Sequence, residues 1–313
     1  MKFHRLLTAW AVGAVIASGP VAAEPLTLLD GPTQLRFIDS TAPSVLLQTL
    51  AVTGMQPGES IAAIDYRPAN GALYAIGFLG SAARLYTVNT ATGVATLVGA
   101  GPFDPSLGAG VYIGMDFNPV TDRIRATSNI GTNLRIDPTT GTVVATDTST
   151  AFAAGDINAG VNNAPLGLAY SNNVAGAAAT TLYGIVFGSN GSVLATVGSV
   201  GGSPTSPNSG QMFTVGPTAV SGYSGARQGF DISSSGAVYA VVDNDSVLYS
   251  INLATGAATS LGSLPAGTAI RDVTAGGIAA PAAISNVPAL DPVTLLALVI
   301  LLGVAGALAM RRA

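Results

Sequence analysis

Residues Ile61 to Gly101 read IAAIDYRPANGALYAIGFLGSAARLYTVNTATGVATLVGAG, and Val111 to Ser149 read VYIGMDFNPVTDRIRATSNIGTNLRIDPTTGTVVATDTS. Laid over one another, the two stretches share four short runs in the same order. The first contains an Asp, the second a Tyr or Arg, the third a Leu-Tyr or Leu-Arg pair, and the fourth follows a Thr-Gly turn. Apolar residues alternate within the runs, and Asn-Gly, Thr-Gly and Asn-Pro turns separate them, as in strands rather than helices. A third copy starts at Leu166 and carries a long Gly/Ser/Pro loop before its last strand, MFTVGPT; a fourth covers Gln228 to Leu264. Four-stranded repeats of about 40 to 50 residues predict an all-β chain built of β-propeller blades.

The flanks complete the count. LTLLDGPTQLRFIDSTAPSVLLQTLAV, Leu26 to Val52, matches the later strands of a repeat without its first, and AIRDVTAGGIAAP, Ala269 to Pro281, matches a first strand with nothing after it. Joined, the two half-blades make a fifth blade that closes the ring and pairs edges otherwise left open. A β-sandwich, the competing all-β reading, needs no matching half-repeats at opposite ends.

Both ends of the chain are apolar. In residues 1–23 Lys2 and Arg5 precede an apolar run from Leu6 to Ala17, and Val21 and Ala23 stand where a signal peptidase reads small residues. This predicts a signal peptide, export, and a propeller domain over residues 24–284. After a linker or sorting motif at 285–291, residues 292–310 carry no charge, and 311–313 hold Arg311 and Arg312. At about 1.5 Å per residue the apolar run nearly matches a hydrocarbon core of about 30 Å, so a transmembrane helix with a cytoplasmic basic stop is expected. The protein would then sit at the cell envelope or surface, anchored in the membrane by its C-terminal helix.

Removing these ends changes the inventory. Lys2, His4 and Trp10 all lie in the leader, so the exported domain has no Lys, His, Trp or Cys, and eight arginines face fifteen carboxylates, a formal charge of about −7. Such a surface argues against a nucleic-acid partner, which needs clustered Lys and Arg. Ser-His-Asp and Cys-His catalysis are excluded with the missing side chains, as are imidazole and thiolate metal sites. A carboxylate pair of the kind glycosidases use remains formally open.

The repeat gives each charged residue an internal control. Asp65, Asp116 and Asp231 share one position in the first strand, where the third copy has Ala169. They are candidates for a cation-binding ring around a central channel; the reading the repeat favours is a structural brace, each carboxylate accepting backbone or Arg hydrogen bonds and fixing its own blade, because a buried carboxylate must be paired. In the second strand Arg125 aligns with Tyr74, Tyr183 and Tyr239; in the third, Arg135 aligns with Tyr86 and Tyr249 and with Arg36 of the shared blade. Stacking of guanidinium on phenol between blades is the expectation there. Asp122 and Arg123 have no charged counterpart in the first copy, where Gly71 and Ala72 stand, so they join the binding candidates. Asn89, Asp137 and Asn252 open the turns NTATG, DPTTG and NLATG. A short polar side chain can hold such a turn while glycine takes its positive φ. Two Asp/Asn clusters outside the repeat, Asp156 with Asn158 and Asp243 with Asp245, are candidates for an oxygen-ligated calcium ion; no other cofactor is expected.

The runs Asp-Phe-Asn-Pro-x-x-Asp-Arg-Ile-Arg from Asp116, Asn-Leu-Arg from Asn133, Gly-Asp-x-Asn-Ala-Gly from Gly155, and Ala169-Tyr170 with the later Thr-Leu-Tyr resemble the bacterial domain of unknown function 4394 family. That resemblance implies a repeated β architecture and no particular activity. The segment from Val287 to Arg312 resembles C-terminal sorting signals of the IPTL type, with Val-Pro-Ala-Leu in the motif position and without the Trp-Gly that usually follows; it implies a sorting protease as a partner. The leading functional expectation is a non-catalytic module that binds an extracellular ligand or surface polymer or forms part of a surface layer. The alternatives are a carboxylate-dependent glycan hydrolase or lyase, and a calcium-stabilised adhesion module.

Overall fold

The computed structural model describes residues 23–108, 112–161, 163–188, 191–220, 228–242, 245–266 and 269–277. The leader and the tail, with the expected membrane helix and sorting motif, lie outside them. Among the described residues no helix is long and apolar enough to cross a membrane.

The described residues form five sheets. The chain enters at β1 (Pro25–Asp30), β2 (Gln34–Asp39) and β3 (Gln48–Ala51). Blade one is β4 (Ser60–Tyr66), β5 (Leu73–Leu79), β6 (Ala82–Val88) and β7 (Ala95–Leu97); blade two is β8 (Ile113–Asn118), β9 (Arg123–Ser128), β10 (Asn133–Ile136) and β11 (Val143–Thr146). A short β12 (Ala151–Phe152) precedes blade three, which is β13 (Gly167–Tyr170), β14 (Leu182–Gly188), β15 (Gly191–Val197) and β16 (Gln211–Pro217). Blade four is β17 (Gln228–Ile232), β18 (Val238–Val242), β19 (Asp245–Ile251) and β20 (Ala258–Ser263), and β21 (Ile270–Ala275) follows.

Within each blade the strands pair antiparallel in chain order, and β21 pairs β1 to give the sheet β21-β1-β2-β3, so the half-blades at the two ends do form the fifth blade. The first strands pack in a cycle: β4 on β8, β8 on β13, β13 on β17, β17 on β21 and β21 on β4. That closed cycle is a five-bladed β-propeller. Blade three departs from the expected four strands, because β12 adds to the outer edge of β16 as a parallel strand and covers it.

Alternation explains the core. Each sheet has apolar residues on both faces, and its neighbours cover them. One cluster joins Tyr74, Ile76 and Leu85 of blade one to Phe117, Ile124 and Leu134 of blade two. Others join blade five to blade one, blade five to blade four, and blade three to blade four. The Asx turns form as expected. Asn89, Asp137 and Asn252 each accept two backbone N–H groups within their own turn through one Oδ1, at 2.8–3.2 Å. Gly93, Gly141 and Gly256 close these turns at φ 76°, 68° and 78°, each packed against backbone of the preceding blade where a Cβ would not fit.

Candidate functional site

The register of the five inner strands brings one position of each to the propeller axis. Asp65 pairs with Tyr74, Asp116 with Arg125, Ala169 with Tyr183, Asp231 with Tyr239 and Asp272 with Leu29. Two residues before this position, blades two, three and four carry Gly114, Gly167 and Gly229. A Cβ on Gly114 would stand 2.8 Å from Leu166 O, one on Gly167 would stand 2.7 Å from the Phe230 Cβ, and one on Gly229 would overlap the backbone of Asp272 and Val273. Glycine there lets neighbouring inner strands approach until the carboxylates converge.

The convergence is tight. One oxygen from each of Asp65, Asp116 and Asp231 lies within 4.8 Å of the other two, and all three residues are buried. Asp272, from the terminal half-blade, is buried beside them. Each carboxylate accepts a backbone N–H from the next blade around the ring: Asp65 from Phe117 at 2.9 Å, Asp116 from Tyr170, Asp231 from Ala275 at 2.6 Å, and Asp272 from Ile64 at 2.8 Å. The brace therefore ties each blade to its neighbour rather than fixing its own, and blade three, with Ala169, lacks it.

The hydrogen bonds to these carboxylates come from neutral donors. The ion pairs of Arg36, Arg67, Arg84, Arg123, Arg125 and Arg135 all go to other carboxylates. Burial, and then the charge of Asp231, holds Asp65 well above the usual carboxylate range; burial, and then Asp65 and Asp231, does the same to Asp116. Burial also raises Asp231 and Asp272 against the pull of their hydrogen bonds. Thr274 Oγ1 lies 3.0 Å from both Asp65 Oδ1 and Asp231 Oδ2, but its single proton serves only one of them. Asp116 Oδ1 is buried with no hydrogen-bond partner.

The other binding candidates stand away from this cluster, between blades. Arg67 of blade one donates from Nε to Asp122 Oδ1 at 2.8 Å and from a terminal nitrogen to Oδ2, a two-point clasp on the loop after β8. Arg123 pairs with Asp137 at 3.3 Å within blade two. Arg125 is buried, and it meets the next blade's Tyr170 through a hydrogen bond of 2.8 Å from Nε to the hydroxyl, where stacking was expected. Its remaining donors reach Asn133, Asp147 and Asn208, so its plane is fixed by acceptors around its edge. Arg135 corrects the sequence alignment by one residue. It pairs with Arg125, while blade one pairs Tyr74 with Thr87, so Arg135 corresponds to Thr87 and Leu134 to Tyr86. Arg135 and Arg125 then share Asp147.

In the calcium-candidate loops, Asp156 accepts Thr214 N at 2.7 Å, Thr214 Oγ1 at 2.6 Å and Asn158 N at 2.9 Å, and Asn158 Nδ2 donates to Thr214 Oγ1 at 2.9 Å. These bonds pin the insertion onto β16. Asp245 accepts the Tyr249 hydroxyl. Asp243 lies outside the described residues.

On the face where the inner strands end, a depression of about 470 Å³ opens over the axis. Tyr66, Arg67, Thr90, Asn173, Ser234 and Gly276 are among its lining residues, and none of the four aspartates is. Asn173 Oδ1 is buried there without a hydrogen-bond partner.

Sequence reasoning passed over Asp272, although AIRDV was already aligned as a first strand; carrying the aspartate position into the half-blade finds it. Fold and site together define a five-bladed propeller with an acidic, buried axis. The family model described as a domain of unknown function, DUF4394, matches residues 34–274, and the chain belongs to that family. No curated protein matches it. Among solved structures it is similar to a chain of the nidogen/laminin complex (12% identity, 80% of this chain and 98% of that one, TM-score 0.42). It is also similar to virginiamycin B lyase from Staphylococcus aureus (13% identity, 77% and 75%, TM-score 0.39). At these scores the likeness says nothing of activity.

Proposed function

We propose that the chain is an exported, envelope-anchored, non-catalytic binding module that takes a neutral glycan, free or as part of a surface polymer, in the depression over its axis. The observation that carries this reading is the composition of that depression: a phenol, hydroxyl and amide side chains, and an arginine already neutralised by Asp122. The uncharged hydrogen-bonding side chains of Thr90, Asn173 and Ser234 suit a polyhydroxylated ligand. Against hydrolysis stands the burial of the axial carboxylates, which puts them out of reach of a glycosidic bond in the depression. Export and anchoring rest on the leader at 1–23 and the apolar run at 292–310.

The test is a glycan array probed with the full chain in detergent. Retention of a defined neutral glycan, weakened about tenfold or more by Asn173→Ala, is expected, as for loss of one good ligand hydrogen bond. Silence across the array, or binding indifferent to Asn173→Ala and Ser234→Ala, would contradict the reading.

A further inference from the structure

Four carboxylates share the axis, and burying even one unpaired charge costs far more than a protein's net stability allows. The backbone N–H groups that reach them are neutral donors, and the arginine pairs named above are spent elsewhere. Protons or a bound cation must therefore neutralise Asp65, Asp116 and Asp231 in the folded protein.

Two observations give that positive charge a place. Three carboxylate oxygens, one from each of these residues, already form a triangle with no edge above 4.8 Å. An ion at the centre of such a triangle sits at most about 2.8 Å from each oxygen, so closure by a few tenths of an ångström reaches the roughly 2.3–2.6 Å that calcium takes. Independently, Asp116, itself 1% exposed, keeps Oδ1 buried and without a hydrogen-bond partner, although its other contact, the Tyr170 N–H, is made. A buried carboxylate oxygen left bare is rare and calls for an explanation, of which a bound ion is one. Thr274 Oγ1 adds a neutral oxygen beside Asp65 and Asp231. All of these donors are hard oxygens, a set that selects calcium over the softer transition metals.

We propose that a divalent cation of the calcium class binds at the propeller axis on Asp65, Asp116 and Asp231, with Asp272 supplying further negative charge from the terminal half-blade. The ion would then be a hub, held by blades one, two and four at once, and the ring would close around it. Ala169 keeps blade three's share of charge out of a site that already has four carboxylates around it.

The experiment uses the full chain in detergent, purified without chelator, with calcium as the probe. Elemental analysis is expected to find one equivalent of metal per chain, and exhaustive EDTA is expected to lower the melting temperature by about 5–10 °C, restored by calcium. Asp116→Asn should lose the bound equivalent, whereas Asp156→Asn should retain it. Should Asp116→Asn fail to fold, crystals of the unsubstituted protein soaked in a lanthanide should give an anomalous peak among the three carboxylates. The proposal is overturned by a protein that binds no metal and melts alike in EDTA and calcium. It is equally overturned by a folded Asp116→Asn that keeps its equivalent, or by an anomalous peak anywhere else.

Discussion

Gly229 shows how much of the axis depends on single residues. A methyl group added there would run into the backbone of Asp272 and Val273, atoms that cannot rotate away. Gly229→Ala should therefore cost about 3 kcal/mol or more, read as a fall in the urea midpoint. Gly101→Ala, at a position with open space and no positive φ, should leave the midpoint unchanged. Equal effects would show that the inner strands are not packed as described. The glycines at 114, 167 and 229 were visible in the sequence two places before each Asp or Ala, but what they are for was not. Close approach is a property of two strands about 50 residues apart, and a single strand carries no sign of it. Asp272 was legible in principle and was missed because half a repeat does not announce itself as a blade.

Arg125 links whole elements. Its guanidinium binds Asn133 and Asp147 on its own blade and Tyr170 and Asn208 on the next. Arg125→Ala should destabilise by about 3–5 kcal/mol, the range for breaking a buried ion pair, and Arg125→Tyr should not rescue it, although tyrosine is the residue of blades one, three and four. Full rescue by tyrosine in chemical denaturation would reduce the network to packing. The Arg67–Asp122 clasp joins the same two blades as Asp65 does, at the loops. Its hydrogen bond from Arg67 holds the Asp122 carboxyl below the usual carboxylate value, so its contribution is present above the unfolded-state pKa and is lost as pH falls through the folded one. Asp122 stands at φ 52°, a conformation asparagine also tolerates, which makes Asp122→Asn a clean removal of charge. With the pair partly exposed, the variant should melt a degree or two below the parent at pH 7 and alongside it well below pH 4. A gap that persists in acid would count against the ion pair. At this scale the strands, turns and second-strand equivalences were readable from the repeat. Arg135 was not, because two hairpins of unequal length, Leu79 to Ala82 and Ser128 to Asn133, shift the register of the third strand by one residue, and motif matching on Leu-Tyr and Leu-Arg cannot see that.

For the whole molecule, the ring is the unit of stability. β21 supplies the Asp272 carboxylate to blade one, the Thr274 hydroxyl and Ala275 N–H to blade four, and the edge that β1 needs. Ending the chain after Ala269 should abolish the single cooperative melt seen by circular dichroism, while ending it after Gly277 should preserve it. A sharp transition without β21 would mean that the first four blades stand without closure. Inside the ring, the proposed cation would relieve the mutual repulsion of the axial carboxylates. The most direct measurement is the melting temperature of the parent and of Asp116→Asn, each in EDTA and in calcium. The account predicts a reversal of order, with the variant melting at or above the parent in EDTA, where one repulsive charge is gone, and below it in calcium, where a ligand is gone. The same order in both conditions would contradict it.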